Sequence, residues 1–482
     1  MRVLENLEPQ KVFYYFEEIA SIPHGSRNTK KISDYLVNFA KERDLTVYQD
    51  ELNNVVIIKE ATAGYENSEP IIIQGHLDMV CVKENSSTID FENDGLELYV
   101  DGDFVKAKDT TLGGDDGIAV AYALALLDSD NIFHPRLEVI ITVDEEIGML
   151  GAIGIDLSML KGHKMLNIDS DVEDQFLTSC AGGLSLNINI PVKREDTEGL
   201  VTRLIVTGLE GGHSGAEIYK EHGNSNIITG RVLDAFFNEI PLNILSMKGG
   251  LKDNAIPRET ITELVIPDDA RQIVQKIVDK YNEIIKYELS VADPSVEIKV
   301  EFGSVAKRQA IDFSSVNKSI FFLRTLPNSV INMSQIMPGL VETSLNLGIM
   351  ELKEDSLFLV TSIRSSVSSR KEDLKRKVIK LVEIMGGEYT IEGDYPAWEY
   401  NANSTLRPKV TEVYKKLFDI EPSFEAIHAG LECGILSEKI PNLDCVSFGP
   451  TNYDFHTPKE SLSISSVAKY WKFLVEFLKE SK

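Results

Sequence analysis

Hydrophobic positions recur with two different periods in the first third of the chain. In KKISDYLVNFAKER, residues 30–43, Ile32, Tyr35, Leu36 and Phe39 fall at helical spacing. The stretches LTVYQD, NNVVIIKE and PIIIQGHLD that follow read as strands, and LELYVDGDFVKAK alternates about Asp101-Gly102 as a hairpin does. GIAVAYALALLDSD is apolar all round, the pattern of a buried helix. RLEVIITVDEE and HKMLNIDSD read as two further strands. Strands alternating with helices predict an α/β layer, a mainly parallel sheet flanked by helices.

Past Gly182-Gly183 the texture changes. LSLNINIPVK and TRLIVTG alternate like half-exposed antiparallel strands, with helical stretches such as NIITGRVLDAFFNEI and DARQIVQKIVDKYNEIIKYEL lying between strands. This pattern predicts an inserted α+β domain. The α/β pattern returns after YPAWEYNANS, with a helix in LRPKVTEVYKKLFD, a strand in LDCVSFGP and a closing helix in SISSVAKYWKFLVEFLKESK. The expected division is a domain made of residues 1–182 and 396–482, interrupted by an insertion of residues 183–395.

Composition agrees with this division, because 482 residues exceed one ordinary core. A formal net charge of −27 repels phosphate backbones and anionic lipid, which argues against nucleic acid and membrane partners. Cys81, Cys180, Cys433 and Cys445 are scattered, with no C-x-x-C pair, which argues against a disulfide framework and a thiolate zinc site. The opening MRVLENLEPQ has no apolar signal-like core, and no apolar stretch approaches the ~18 residues of a membrane span. A cytoplasmic protein is expected.

Candidate chemistry gathers where strands end. In IIIQGHLDMV, residues 71–80, His76 and Asp78 share a face if the strand continues through Asp78. TTLGGDDGIAVAYA puts Asp115 and Asp116 in a Gly-rich turn opening a helix, and ITVDEEIGMLGA ends a strand with Glu145 and Glu146. LNIDSD ends another with Asp169, and FGPTNYDFHTPKE carries His456 in a loop after a late strand. Taken singly, each is an ordinary turn, strand end or surface loop. Together they stand where ligands gather in open α/β sheets, beyond the carboxyl ends of the strands. Carboxylate and imidazole donors suit Zn²⁺, Mn²⁺ or Co²⁺, and the lack of cysteine fits a catalytic rather than a structural site. Five ligands are too many for one catalytic zinc with an open position, and suit two metals ~3.5–4 Å apart sharing a carboxylate. Like charges this close repel strongly unless cations lie between them.

GHLDMV, TTLGGDDGIA, TVDEEIGMLGA, NIDSD, GGHSG and the late loop histidine resemble the co-catalytic zinc peptidases related to aminoacylase and glutamate carboxypeptidase. TTLGGDDG, AIHAGLECG and FGPTNYDFHTP are similar to its aminoacyl-histidine, or Xaa-His, dipeptidase branch. The likeness runs nearly end to end and is weakest between residues 265 and 355.

The resemblance implies two divalent metal ions, Zn²⁺ first, with Co²⁺ or Mn²⁺ as alternatives. His76 and Asp169 would bind one, Glu146 and His456 the other, and Asp115 would bridge them. Asp78 would hold the His76 imidazole and fix its tautomer. Glu145 would be the general base. A cis peptide is expected after Asp115. Asp116 stands where the family often has Asn, and so adds a negative charge. In the insertion, His213 of LEGGHSGAEI would stabilise the tetrahedral oxyanion. GGLKDNAIPRE supplies Asn254 and Arg258, and VTSIRSSVSSR supplies Arg364, whose fork suits a substrate carboxylate. AIHAGLECG brings Gly430 and Glu432 towards the substrate, with His428 packed rather than ligating.

The implied activity is metal-dependent hydrolysis of small peptides, Xaa-His dipeptides of the carnosine kind foremost. Broad dipeptidase, tripeptidase and N-acyl amino acid deacylase activities share the same metal centre and stay open. A non-catalytic metal- or peptide-binding protein is disfavoured by the intact Glu145. The insertion would act as a lid. At ~200 residues it is large enough to be its own partner or the contact of a homodimer.

Overall fold

The computed structural model describes residues 2–482. They form two compact units, each with its own apolar core. The first takes the described residues through Ser179 together with Tyr400–Ala426 and Leu431–Lys482, and the second takes Cys180–Glu399 with Ile427–Gly430.

The first unit is built on an eight-stranded sheet. Its order is Thr46–Gln49, Val55–Lys59, Leu137–Thr142, Ile71–His76, Lys164–Asn167, Asp444–Ser447, Gln175–Cys180 and Ser423–Ile427. The four strands from Leu137–Thr142 to Asp444–Ser447 pair in parallel, and antiparallel strands lie on either side of them. Continuous apolar runs such as Ile71–Ile73 and Val139–Ile141 fit here because a parallel sheet covered on both faces buries every side chain. The helix Gly114–Leu127 has no polar face and is buried throughout its regular part, as its composition predicts. Its Tyr122 donates a hydrogen bond to the Val467 carbonyl (2.8 Å) and stacks on Trp471, which fastens it to the closing helix Ile464–Lys479. A smaller four-stranded sheet joins the hairpin Leu98–Asp101 and Phe104–Ala107 to Ser461–Ser463 and Asn452–Tyr453. It thereby flanks the loop that carries His456.

The second unit is a nine-stranded sheet with antiparallel ladders. Helices Ser225–Glu239, Arg271–Glu288, Phe313–Thr325 and Ser368–Ile384 contribute Val232, Phe236, Val274, Phe322 and Val378 to its core. Two of them start at side chains that accept orphan backbone N–H groups: Asn224 from Asn226 and Ile227, and Asp312 from Ser315. The longest ladder pairs Arg194–Thr207 with Glu297–Ile311. Among the described residues no helix is long and apolar enough to cross a membrane.

Candidate metal centre

Each candidate ligand of the first unit sits where regular structure stops. His76 is the last residue of its strand, and Asp169 follows the strand Lys164–Asn167 by two residues. Glu145 and Glu146 lie just past Leu137–Thr142. Asp115 and Asp116 have non-helical backbones at the mouth of the Gly114–Leu127 helix, and the peptide bond between them is cis.

These ends converge. His76 Nε2 lies 3.1 Å from one Asp115 oxygen, and His456 Nε2 lies 3.2 Å from the other. His456 Nε2 is also 2.9 Å from Glu146 Oε1. Three groups of donor atoms have members within 4.8 Å of one another: His76, Asp116 and Asp169; His76, Glu145 and Glu146; Asp115, Glu146 and His456. Asp115 therefore touches both imidazoles, one with each oxygen.

The electrostatics of the cluster are those of closely packed acids. Among the described residues no Lys or Arg forms an ion pair with Asp115, Asp116, Glu145, Glu146 or Asp169. Burial, reinforced by the charge of Asp116, pushes the Asp169 carboxyl well above its usual range, and burial does the same to Asp116. Burial and the charges of Glu432 and Glu146, against the pull of His76, push Glu145 up to about 8. Burial would raise Asp115 too, but hydrogen bonds with His456 and His76 outweigh it and hold it low. Burial alone would lower His456, yet hydrogen bonds to Asp115 and Glu146 lift it to about 10. Carboxylates packed this closely repel one another, and divalent cations suit the positions between them. An oxygen- and nitrogen-only donor set with two histidines fits such cations, and no cysteine takes part in any of the three groups. The residues present fit metal binding.

The surroundings differ from expectation in instructive ways. The strand stops at His76, and the acceptor nearest its Nδ1 is the Asp78 carbonyl (3.0 Å) rather than the Asp78 carboxylate (3.6 Å). That carboxylate instead accepts from Ser26 Oγ (2.7 Å) and from the Glu145 N–H (3.0 Å), so it ties Glu145 to the histidine turn. Asp116 accepts the backbone N–H of His76 at 3.1 Å. Gly75 permits this approach, because a Cβ there would lie 2.5 Å from Asp116 Oδ2 and from Ala119 Cβ. Glu432, expected to face the substrate, is fully buried inside the first unit. Its Oε2 accepts from Gln74 (2.6 Å) and Thr142 (2.5 Å), while its Oε1 has no partner.

Sequence reading missed Glu460. This buried carboxylate accepts from the N–H groups of Leu112 (2.7 Å), Gly113 (3.1 Å) and Gly114 (2.8 Å), and so shapes the turn before Asp115. Its only local signal is an acid in a polar loop, which says nothing of backbone amides 346 to 348 residues away.

The remaining candidates belong to the second unit. His213 lies on the short strand Gly212–His213, paired with Ala255–Ile256. Its Nδ1 accepts from the N–H groups of Gly215 (3.1 Å) and Ala216 (3.0 Å), so the neutral ring carries its proton on Nε2 and presents it as a donor. Burial and the Arg364 charge lower its pKa. The Asn254 carbonyl accepts the Ser214 N–H at 2.8 Å and supports this loop. Arg258 spends its Nε on the Leu209 carbonyl (3.1 Å). Arg364 donates to the Tyr395 hydroxyl (3.0 Å). Gly430 packs on the Tyr395 ring. His428 is buried, bonded to Ser344 Oγ (2.7 Å) and driven down to about 3 by burial and by Arg364.

Known proteins share this sequence and fold. Peptidase family M20/M25/M40 matches residues 72–480. Cytosol non-specific dipeptidase of Escherichia coli (strain K12) is 38% identical over 483 aligned residues, which cover 100% of this chain and 99% of that protein. The crystal structure of aminoacylhistidine dipeptidase from Vibrio alginolyticus superimposes with a TM-score of 0.93 at 35% identity, covering 99% of this chain and 98% of that one. Aminopeptidase PepT from Bacillus cereus shares the fold, with a TM-score of 0.57 at 14% identity over 98% of this chain and 99% of that one. With its sequence matched from residue 72 almost to its end and its fold shared along nearly all of its length, the chain belongs to peptidase family M20/M25/M40.

Proposed function

We propose that the protein is a cytoplasmic dipeptidase that uses two divalent metal ions, Zn²⁺ first among them, and prefers dipeptides with C-terminal histidine. The observation that carries this reading is Asp115, with one oxygen 3.1 Å from His76 and the other 3.2 Å from His456. A carboxylate so placed suits a bridge between two cations, His76 and Asp169 serving one and Glu146 and His456 the other. The names of the Escherichia coli and Vibrio relatives support dipeptide hydrolysis, and the latter name supports the Xaa-His preference.

Cations held by these residues would supply Lewis acidity, lowering the pKa of water and polarising a carbonyl. Glu145 takes the proton of the attacking water and hands it to the departing amine. Its main-chain anchor on the Asp78 carboxylate keeps it beside His76 through both transfers. The Nε2–H of His213 donates to the developing oxyanion, a role open to it because Nδ1 is occupied by two backbone N–H groups. Arg364 holds the carboxylate of the peptide.

Zinc-loaded protein assayed against β-Ala-His, Leu-His, a dipeptide without histidine, a tripeptide and an N-acetyl amino acid tests the reading. Fast turnover of the two His dipeptides, with little of the others, is expected. Preference for the tripeptide or the acylated amino acid overturns the dipeptidase assignment, and equal rates on all dipeptides overturn the histidine preference.

A further inference from the structure

Arg364 stands near the end of the strand Ser356–Ser365, half-buried, with its Nε–H buried and without an acceptor. Among the described residues no carboxylate lies within ion-pair range of it, in a chain that carries 27 excess negative charges. A guanidinium held in this way is incomplete without an anion from outside the fold. Among the described residues its one protein acceptor is the Tyr395 hydroxyl, at 3.0 Å.

The sheet register explains how the two meet. Arg364 pairs with Gly183 on the next strand, and Gly183 pairs with Tyr395 on the strand beyond. The three residues form one cross-strand row with glycine at its centre. Adjacent strands are ~4.8 Å apart, so residues two strands apart meet only if their side chains cross the row between them. The Tyr395 ring does cross it: a Cβ on Gly183 would lie 2.6 Å from the Tyr395 hydroxyl oxygen and 2.7 Å from Cζ. Gly430 leaves room for the same ring elsewhere, since a Cβ there would lie 2.8 Å from Cε2 and 3.0 Å from Cζ.

We propose that Tyr395 is the positioning residue for Arg364, seated by Gly183 and Gly430, and that its hydroxyl fixes the plane in which the guanidinium receives the peptide carboxylate. Gly430 thereby serves the substrate by leaving space for the tyrosine, not through an atom of its own. This proposal rests on the reading of Arg364 as the carboxylate ligand.

Metal-loaded wild type, Tyr395→Phe, Arg364→Ala, the double variant and Gly183→Ala are compared on one dipeptide as free acid and as C-terminal amide, with melting temperatures as a check on folding. Losing the hydroxyl should raise KM for the free acid about tenfold, leave the amide unchanged and alter kcat little. It should add nothing once Arg364 is alanine. Gly183→Ala, which displaces an intact ring, should give the same loss of acid-over-amide preference. An equal rise in KM for acid and amide, or none, overturns the proposal. A wild type that takes acid and amide equally overturns it through Arg364 while leaving dipeptide hydrolysis standing. If no dipeptide is hydrolysed, the functional reading has failed, and calorimetric binding of the acid and the amide to wild type and Tyr395→Phe decides the positioning claim by the same ratio.

Discussion

At the scale of single residues, two chemically equal neighbours are held in different company. The Glu145 N–H is fixed by Asp78, whereas the Glu146 carboxylate lies against His456. If Glu145 is the base as proposed, Glu145→Gln keeps the side chain's shape and removes its basicity, so it should retain two metals and lose at least ~10²-fold in kcat. Glu146→Gln removes a ligand charge and should lower metal content as well. Metal analysis of the two purified variants decides between them, and loss of a metal from the Glu145 variant alone would reverse the assignment. His456 gives a second expectation. Its pKa is raised from 6.5 to about 10 in the fold, burial being outweighed by the hydrogen bonds to Asp115 and Glu146. The stability this adds to the metal-free protein is complete below pH 6.5 and is lost as pH rises through about 10. Metal binding at pH 8 must then expel that proton. Calorimetric titration in buffers of different ionisation enthalpy should show about one proton fewer released by His456→Asn than by wild type. An unchanged count would mean that His456 does not meet the metal. These ligand-type residues were legible because acids and histidines repeat at strand ends. Ser26, Glu460 and Tyr395 were not, because they act on groups that only the folded chain brings near.

At the scale of elements, apolar period was a good guide where strands are covered on both faces and a poor one where they are not. Ile71–His76 and Leu137–Thr142 announce themselves by continuous apolar runs. REDTEG, residues 194–199, has the composition of a turn, yet it extends a strand whose partner residues Ala306–Ile311 are just as polar at their centre. EYTIEGDY is exposed along nearly all its length and is ordered by its ladder to the strand Gly182–Pro191. The turn before Asp115 is likewise an element set from afar. Three of its N–H groups end on Glu460, and each buried amide left without a partner costs ~1–3 kcal/mol. Glu460→Ala should therefore lower the melting temperature by several degrees and weaken metal binding through Asp115, with Glu460→Gln milder because it keeps an acceptor oxygen. Thermal melts with a zinc titration measure both. A Glu460→Ala protein that melts and binds zinc like wild type would remove the carboxylate from this role.

At the scale of the whole molecule, the metal and the acidic balance act on different parts of the chain. The net charge of −27 is spread over the full sequence, but the candidate ligands all belong to the first unit, whose core is distinct from that of the second. A cation that binds only the folded state stabilises what it binds by RT ln(1 + [L]/Kd), ~2.7 kcal/mol at a hundredfold excess over Kd. Removing it also returns repulsion to a cluster that, among the described residues, has no lysine or arginine paired with it. Chelation should thus speed amide exchange in the strands and helix that end at His76, Asp115, Glu146 and Asp169, and leave the antiparallel sheet of the second unit at its former rate. Readdition of zinc should restore protection at neutral pH and fail to do so in acid, where protons hold the carboxylates and imidazoles against the metal. Hydrogen-exchange mass spectrometry resolves the two sheets in one experiment. Protection lost equally from both would show that the metals hold the entire chain together, and protection unchanged in both would show that no cation is held by these residues.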